Sequence, residues 1–343
     1  MCVGSKTSLP ARTVLIAGTG RSGTTWLGKI FDSSPDVFYK PQPDERSRYP
    51  WFREIPSRLD RTPEFDRFKE PFAEAVRQTF CSHTPSLQAR PVFKKNFLRQ
   101  SAWDLLNISL RVWRKISRGP GPVLRIPAWM FRQDPDDITL VLKSVISNLR
   151  LAWIHENFPT IKMILIVRHA GGYLSSVFRG ARHHGWVDAG KKERLGTTML
   201  PFPRRDQERY RDAFENGSDF ERELIYWVVA NETPILELDG SPRFKLVSYE
   251  ELCRRPLETA QALFDFAEIP FTRSSEQFIR ESTTQERPGY YDVYKNPARS
   301  ANRWRNELDS QQRALVARYV DESSLKFLWV EEAAAAEVNV PCS

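Results

Sequence analysis

Four short runs of β-branched and other apolar residues, each followed by a stretch of helical periodicity, constrain this chain more than any other feature. The runs are 13–17 (TVLIA), 138–143 (ITLVLK), 162–167 (KMILIV) and 244–248 (FKLVS), and the helical stretches follow at 22–32, 147–157, 172–178 and 256–267. Strands without a polar face need cover on both sides, and strand-then-helix repetition lays successive strands parallel. The expected fold is therefore α/β, a three-layer parallel sheet in a single domain over 1–330, with 331–343 a frayed tail. Residues 40–137 break the pattern with Pro-, Arg- and Trp-rich text, and helices are expected there at 72–80 and 100–117. Trp51, Trp103, Trp113 and Trp129 would be wasted in a linker, so this insertion is expected to cover a substrate. A second insertion is expected over 180–219, which carries His183 and His184.

Composition narrows the function classes. No apolar run approaches the roughly 20 residues that span a bilayer, and the first ten residues lack the apolar core of a signal peptide. Cys2, Cys81, Cys253 and Cys342 are scattered without metal-ligand spacing, which argues against zinc and against a disulfide framework. A reducing, cytoplasmic location is expected, with a Golgi lumen only for a trimmed chain; the sequons at Asn107, Asn216 and Asn231 are then read as chance. Lys and Arg exceed Asp and Glu by 51 to 43, and the net charge of +8 calls for an anionic ligand. The basic residues are spread along the chain and no nucleic-acid motif is present, so neither nucleic acid nor membrane is an expected partner.

The loop after the first run supplies an address for that anion. Gly18-Thr19-Gly20-Arg21-Ser22-Gly23-Thr24-Thr25 leads into a helix that opens Trp26-Leu27. Glycines permit a tight turn, and successive amide groups with a helix N-terminus form an anion nest, a P-loop-type phosphate site. A triphosphate loop of the form GxxxxGK[ST] needs a Lys after its second Gly. Gly18 and Gly23 keep that spacing, but Thr24 stands where the Lys belongs, and Arg21 offers a cation two residues before Gly23. The expected ligand is anionic and is not ATP. An atypical P-loop kinase stays as an alternative, as does a non-catalytic nucleotide or anionic-polymer binding protein.

The string Arg21-Ser22-Gly23-Thr24-Thr25-Trp26-Leu27 resembles the 5′-phosphosulfate loop of the sulfotransferases that use 3′-phosphoadenosine 5′-phosphosulfate (PAPS). The run 162–167 followed by Arg168, with Ser176 eight residues on at a helix start, is similar to that family's 3′-phosphate signature. A guanidinium binds phosphate oxygens bidentately and a hydroxyl adds a donor. Leu246-Val247-Ser248-Tyr249-Glu250-Glu251-Leu252 resembles the segment whose Tyr lies near the adenine, and the resemblance puts Trp26 on the adenine face. Around Ser300-Ala301-Asn302-Arg303-Trp304, a looser similarity to the tyrosylprotein and carbohydrate enzymes makes Arg303 a cofactor contact, with Ser282, Thr283 and Thr284 as hydroxyl donors from a preceding loop. The implied cofactor residues are thus Gly20, Arg21, Ser22, Gly23, Thr24, Thr25, Trp26, Arg168, Ser176, Tyr249 and Arg303.

The resemblance implies transfer of a sulfuryl group from PAPS to a hydroxyl, or less readily an amine, of a carbohydrate or polar natural product, without a metal. Arg21 and Lys143, the latter at a strand end, are the implied stabilisers of developing charge. Gln42 occupies the place of the family's usual basic Glu, and a neutral amide cannot take a proton. Asp44, Glu45 and His184, with its neighbour His183, are the candidate general bases.

Overall fold

The computed structural model describes residues 12–41, 55, 57, 60–83, 108, 109, 112, 126, 127, 138–184, 202–287 and 292–329, with the backbone alone for 78–83, 126, 127, 183 and 184. In chain order the strands are β1 (Thr13–Ala17), β2 (Val37–Pro41), the two-residue β3 (Ser82–His83) and β4 (Ile126–Pro127), β5 (Thr139–Ser144), β6 (Ile161–Val167) and β7 (Phe244–Ser248). β3 and β4 form an antiparallel pair of their own. The other five make one sheet in the order β2-β5-β1-β6-β7, with every neighbouring pair parallel. This is the α/β class that the strand-helix repetition predicts.

Period-2 alternation distributes each strand between two cores. Leu15, Leu140, Leu142, Met163 and Leu165 join Trp153, Trp227 and the helix Asp219–Leu238 on one face. Val14, Ile16, Val141, Ile164 and Ile166 join Leu27, Ile30 and Phe264 on the other, where Phe31 and Phe264 stack with centroids 4.5 Å apart. Helices therefore cover both faces, which is why the central strands carry no polar side.

The fifth strand, β2, is not among the expected elements. Its sequence, VFYKP, is short and ends in a proline, and among the described residues it is an edge strand paired with β5. The first helix begins at Thr24 rather than 22, because Arg21 and Gly23 both take positive φ and hold the loop open. The helix after β6 runs Ala170–His184, well past the expected 172–178, and Lys69–Cys81 contains the expected 72–80. Within 40–137, Ile55, Phe68, Phe72 and Val76 pack into the first core; within 180–219, Tyr210 and Phe214 of the helix Arg204–Asn216 do so as well. Only 108, 109 and 112 of the expected helix 100–117 are described, and they are helical; 331–343 lies outside the described residues. Among the described residues, no helix is long and apolar enough to cross a membrane, and no His, Cys, Asp and Glu cluster could hold a metal. Asn231 of the third sequon is fully buried and donates to the Trp227 carbonyl, which denies it to a glycan in the folded chain.

Candidate active site

Strand order creates the site. The chain leaves β1 toward β2 on one side and leaves β6 toward β7 on the other, so the loops after β1 and β6 part and open a crevice at the carboxyl edge of the sheet. Arg21 comes from the first loop and Arg168 from the second.

The loop after β1 turns on a hydrogen bond from Ser22 N–H to Thr19 O (3.1 Å), with the two hydroxyls 2.6 Å apart. Arg21 sits at φ 76°, a left-handed conformation that costs a non-glycine residue about 1–2 kcal/mol. Two contacts hold it there: Arg168 Nη1 donates to Arg21 O (3.1 Å), and Arg21 Nε donates to Ser176 Oγ (3.0 Å). Gly23, at φ 90°, has no substitute, since a Cβ would overlap the Tyr249 ring. Gly23 also caps the helix Thr24–Asp32 without any side-chain bond to its first-turn amides. That leaves a helix N-terminus with its donors uncommitted at the cleft wall, where Thr24 and Thr25 lie.

The cleft itself encloses about 580 Å³, enough for a nucleotide. Among the described residues, Arg21, Arg168, Arg179, Arg287, Lys295, Arg299 and Arg303 line it against two carboxylates, Glu286 and Asp292. Burial first, then the charges of Arg21, Arg179 and Arg168, push the Lys295 ammonium down to about 8, with Asp292 acting in the opposite sense. So many like charges converging on one cavity are the signature of a polyanion site. Glu307 anchors two of them, accepting from Arg179 Nη1 (2.7 Å) and Arg303 Nε (2.6 Å) and also from the Ser175 hydroxyl.

The structure brings Arg21, Gly23, Thr24, Thr25, Trp26, Arg168, Ser176, Tyr249 and Arg303 together on this cleft. Tyr249 lies edge-to-face with Trp26, centroids 6.3 Å apart, and the Arg168 guanidinium stands 4.7 Å over the Tyr249 ring. Gly20 and Ser22 belong to the loop but are not part of the cleft lining, and neither is Lys143, which is buried at the end of β5 beside Ile16 of β1. Two expectations need correction. Ser176 lies in the second turn of its helix rather than at the start, and reaches Arg21 from there. Ser282, Thr283 and Thr284 end the helix Arg273–Thr284 instead of occupying a loop; Ser282 accepts from Trp26 Nε1 (3.0 Å), and the two threonines bond to carbonyls of their own helix. Gln42, Asp44 and Glu45 lie outside the described residues, as do the side chains of His183 and His184. By helical register it is residue 183, not 184, that follows Ser176 and Arg179 along one face.

Four cleft cations, Arg179, Arg287, Lys295 and Arg299, have no counterpart in the sequence reading. Arg179 could have been found from the i, i+3 spacing after Ser176 once the helix was extended; Lys295, on a loop, carries no local signal.

The sequence profile described as "Sulfotransferase family" matches residues 13–273. The chain belongs to that family. Mouse Carbohydrate sulfotransferase 3 is 37% identical over 65 residues, 18% of this chain and 14% of that protein, and the human protein of the same name is 35% identical over the same length. The match thus spans about a seventh of those relatives. Among solved structures, a sulfotransferase domain from the curacin biosynthetic pathway superposes with TM-score 0.43 and 17% identity, covering 90% of this chain and 97% of that one. Mouse sulfotransferase SULT7A1 complexed with PAP gives TM-score 0.42 and 11% identity, covering 94% and 88%.

Proposed function

We propose that this sulfotransferase-family protein takes PAPS as donor and transfers its sulfuryl group to a hydroxyl of a polar acceptor, with carbohydrate the favoured class. One observation carries the donor reading: Arg21 and Arg168, from the two diverging loops, are linked to each other, and Arg21 to Ser176, on a cleft whose described lining carries seven cations against two carboxylates. An uncapped helix N-terminus with Thr24 in place of the triphosphate Lys suits a short phosphate-bearing group, and the wall of Trp26 and Tyr249 suits a flat base. The carbohydrate class is supported by the name of the partial relatives.

Bound PAPS would supply an activated sulfuryl group whose leaving phosphate gathers negative charge. Arg21, fixed by its strained backbone and by Ser176, and Lys295, crowded by three arginines, would stabilise that charge more in the transition state than before it. Arg168, backed by its bond to Ser300 O (2.5 Å), would hold the 3′-phosphate with Ser176, and Arg303 would close over it. The proton of the acceptor would pass to Asp44, Glu45, His183 or His184; single Ala variants assayed at saturating PAPS identify which one by its loss of turnover.

Thermal unfolding tests the donor. Adenosine 3′,5′-bisphosphate at 100 times its Kd should stabilise the protein by about 2.7 kcal/mol, and ATP with magnesium should not. Stabilisation by ATP with magnesium alone would reverse the reading in favour of a kinase. Labelled PAPS with a panel of glycans and phenols then tests the acceptor class, and transfer to phenols alone would remove carbohydrate from the proposal.

A further inference from the structure

The dipeptide Arg168–His169 is enclosed by side chains that do not line the cleft. Trp227 Nε1 donates to Arg168 O at 2.9 Å. Trp304 stacks on the His169 ring, centroids 4.5 Å apart and planes 17° from parallel, and Trp329 meets the same ring edge-on at 5.1 Å. Gly171 makes room for Trp304, since a Cβ there would overlap the indole. Burial drives the imidazole down to about 3, so it is neutral, and its Nδ1 accepts from Gly171 N–H (3.2 Å).

Glu250 closes this arrangement. It is 7% exposed, and its carboxylate accepts from His169 N–H (3.1 Å) and from Trp329 Nε1 (3.1 Å). The preceding residue, Tyr249, packs on Gly23 and under the Arg168 guanidinium. Desolvation pushes the carboxyl up to about 7 even though Arg168 and both donors pull it down. A buried carboxylate is costly unless its partners need it. Here both partners do: a backbone N–H next to Arg168 and an indole N–H from the far end of the described chain would each lose an acceptor. Trp304 and Trp329 lie beyond residue 273, where the family match ends.

We propose that Glu250 and Trp329 form a latch that positions Arg168, so that Trp329, beyond the family match, sets nucleotide affinity without itself touching the nucleotide. The latch rests on the reading of Arg168 as the phosphate ligand. Glu250 is in this account a positioning residue, since a Gln in its place keeps the volume but offers one acceptor oxygen for two donors.

Glu250→Gln should raise the Kd for adenosine 3′,5′-bisphosphate, and the KM for PAPS, by about tenfold while kcat at saturation stays within about twofold. Trp329→Phe keeps the Glu250–His169 bond and should raise Kd by about threefold; it decides the matter if Glu250→Gln does not fold. A Kd within twofold of wild type in both variants, or a fall in kcat with Kd unchanged, overturns the latch. Amide exchange in the ligand-free protein separates the two readings. Glu250→Gln should speed exchange at His169 about tenfold or more, and unchanged exchange overturns the latch whether or not the nucleotide binds. Failure of the wild type to bind the bisphosphate, with exchange accelerated as expected, would instead remove the PAPS reading and the effect on affinity, and leave only the structural hold of Glu250 on His169.

Discussion

Two helices start at the cleft, and they start in opposite ways. Thr24–Asp32 begins at Gly23 with no side chain bonded to its first-turn amides, whereas Ala170–His184 begins behind His169 Nδ1, the Glu250 carboxylate and three tryptophans. The first start leaves amides and a helix dipole for a ligand that comes and goes. At the second, the His169 and Gly171 N–H groups are bonded within the protein, and the side chain presented to the cleft is the guanidinium of Arg168. Under the proposed PAPS reading, open amides would serve one phosphate and a held arginine another.

The most severe way to break the open end is Arg21→Ala, which removes the cation that Ser176 and the loop backbone aim at the cleft. Single-turnover transfer from labelled PAPS should fall by about 10²–10³-fold, the range for losing one group that stabilises developing charge. A fall of less than tenfold would take Arg21 out of that role. Next comes Gly23→Ala, which puts a Cβ against Tyr249 at a φ of 90° and should destabilise the fold by roughly 2–4 kcal/mol in denaturant titration. A loss under about 1 kcal/mol would mean that the loop can relax, and that its shape is not what keeps the helix start open.

Lys295→Met should weaken bisphosphate binding by about tenfold at pH 7. In the wild type the free ammonium titrates near 8 and an arriving anion favours its charged form. Binding should therefore take up a proton as pH rises above 8, and affinity should decline there. Lys295→Met should show neither effect in calorimetry across buffers of different ionisation enthalpy, and proton uptake that persists in the variant would place the titrating group elsewhere. The smallest effect belongs to the closed end. Folded Glu250 titrates near 7 against an ordinary 4.5, so between those values the folded chain holds a proton that the unfolded chain has lost. Wild-type stability should fall relative to Glu250→Gln as pH rises from 4.5 to 7 and level off above. A difference that is flat with pH would show that Glu250 titrates alike in both states.

The open end was legible and the closed end was not. Residues 18–25 are contiguous, so the turn, the missing Lys and the cation at Arg21 can all be read from one string. Arg168 and Ser176 are eight residues apart on one strand-to-helix transition, and helical spacing relates them. Glu250, by contrast, lies 81 residues from His169 and 79 from Trp329, and nothing local to any of them announces the other two. β2 escaped for a related reason: Val37, Phe38 and Tyr39 favour a strand, but a run of three before Lys40 and Pro41 is too short to stand out until β5 offers it a ladder.

Local chemistry in the sequence thus determined the α/β class, the glycine-rich loop after β1 and the arginine after β6, because each depends on hydrogen bonds and periodicities that close within a few turns of chain. Tertiary structure alone decided which cations meet, drawing Arg179 and Lys295 to Arg21, turning Ser282 away to Trp26, and setting a buried carboxylate behind Arg168. Those outcomes depend on burial and on fields summed over segments far apart in the chain, and such fields exist only once the sheet has brought the segments together.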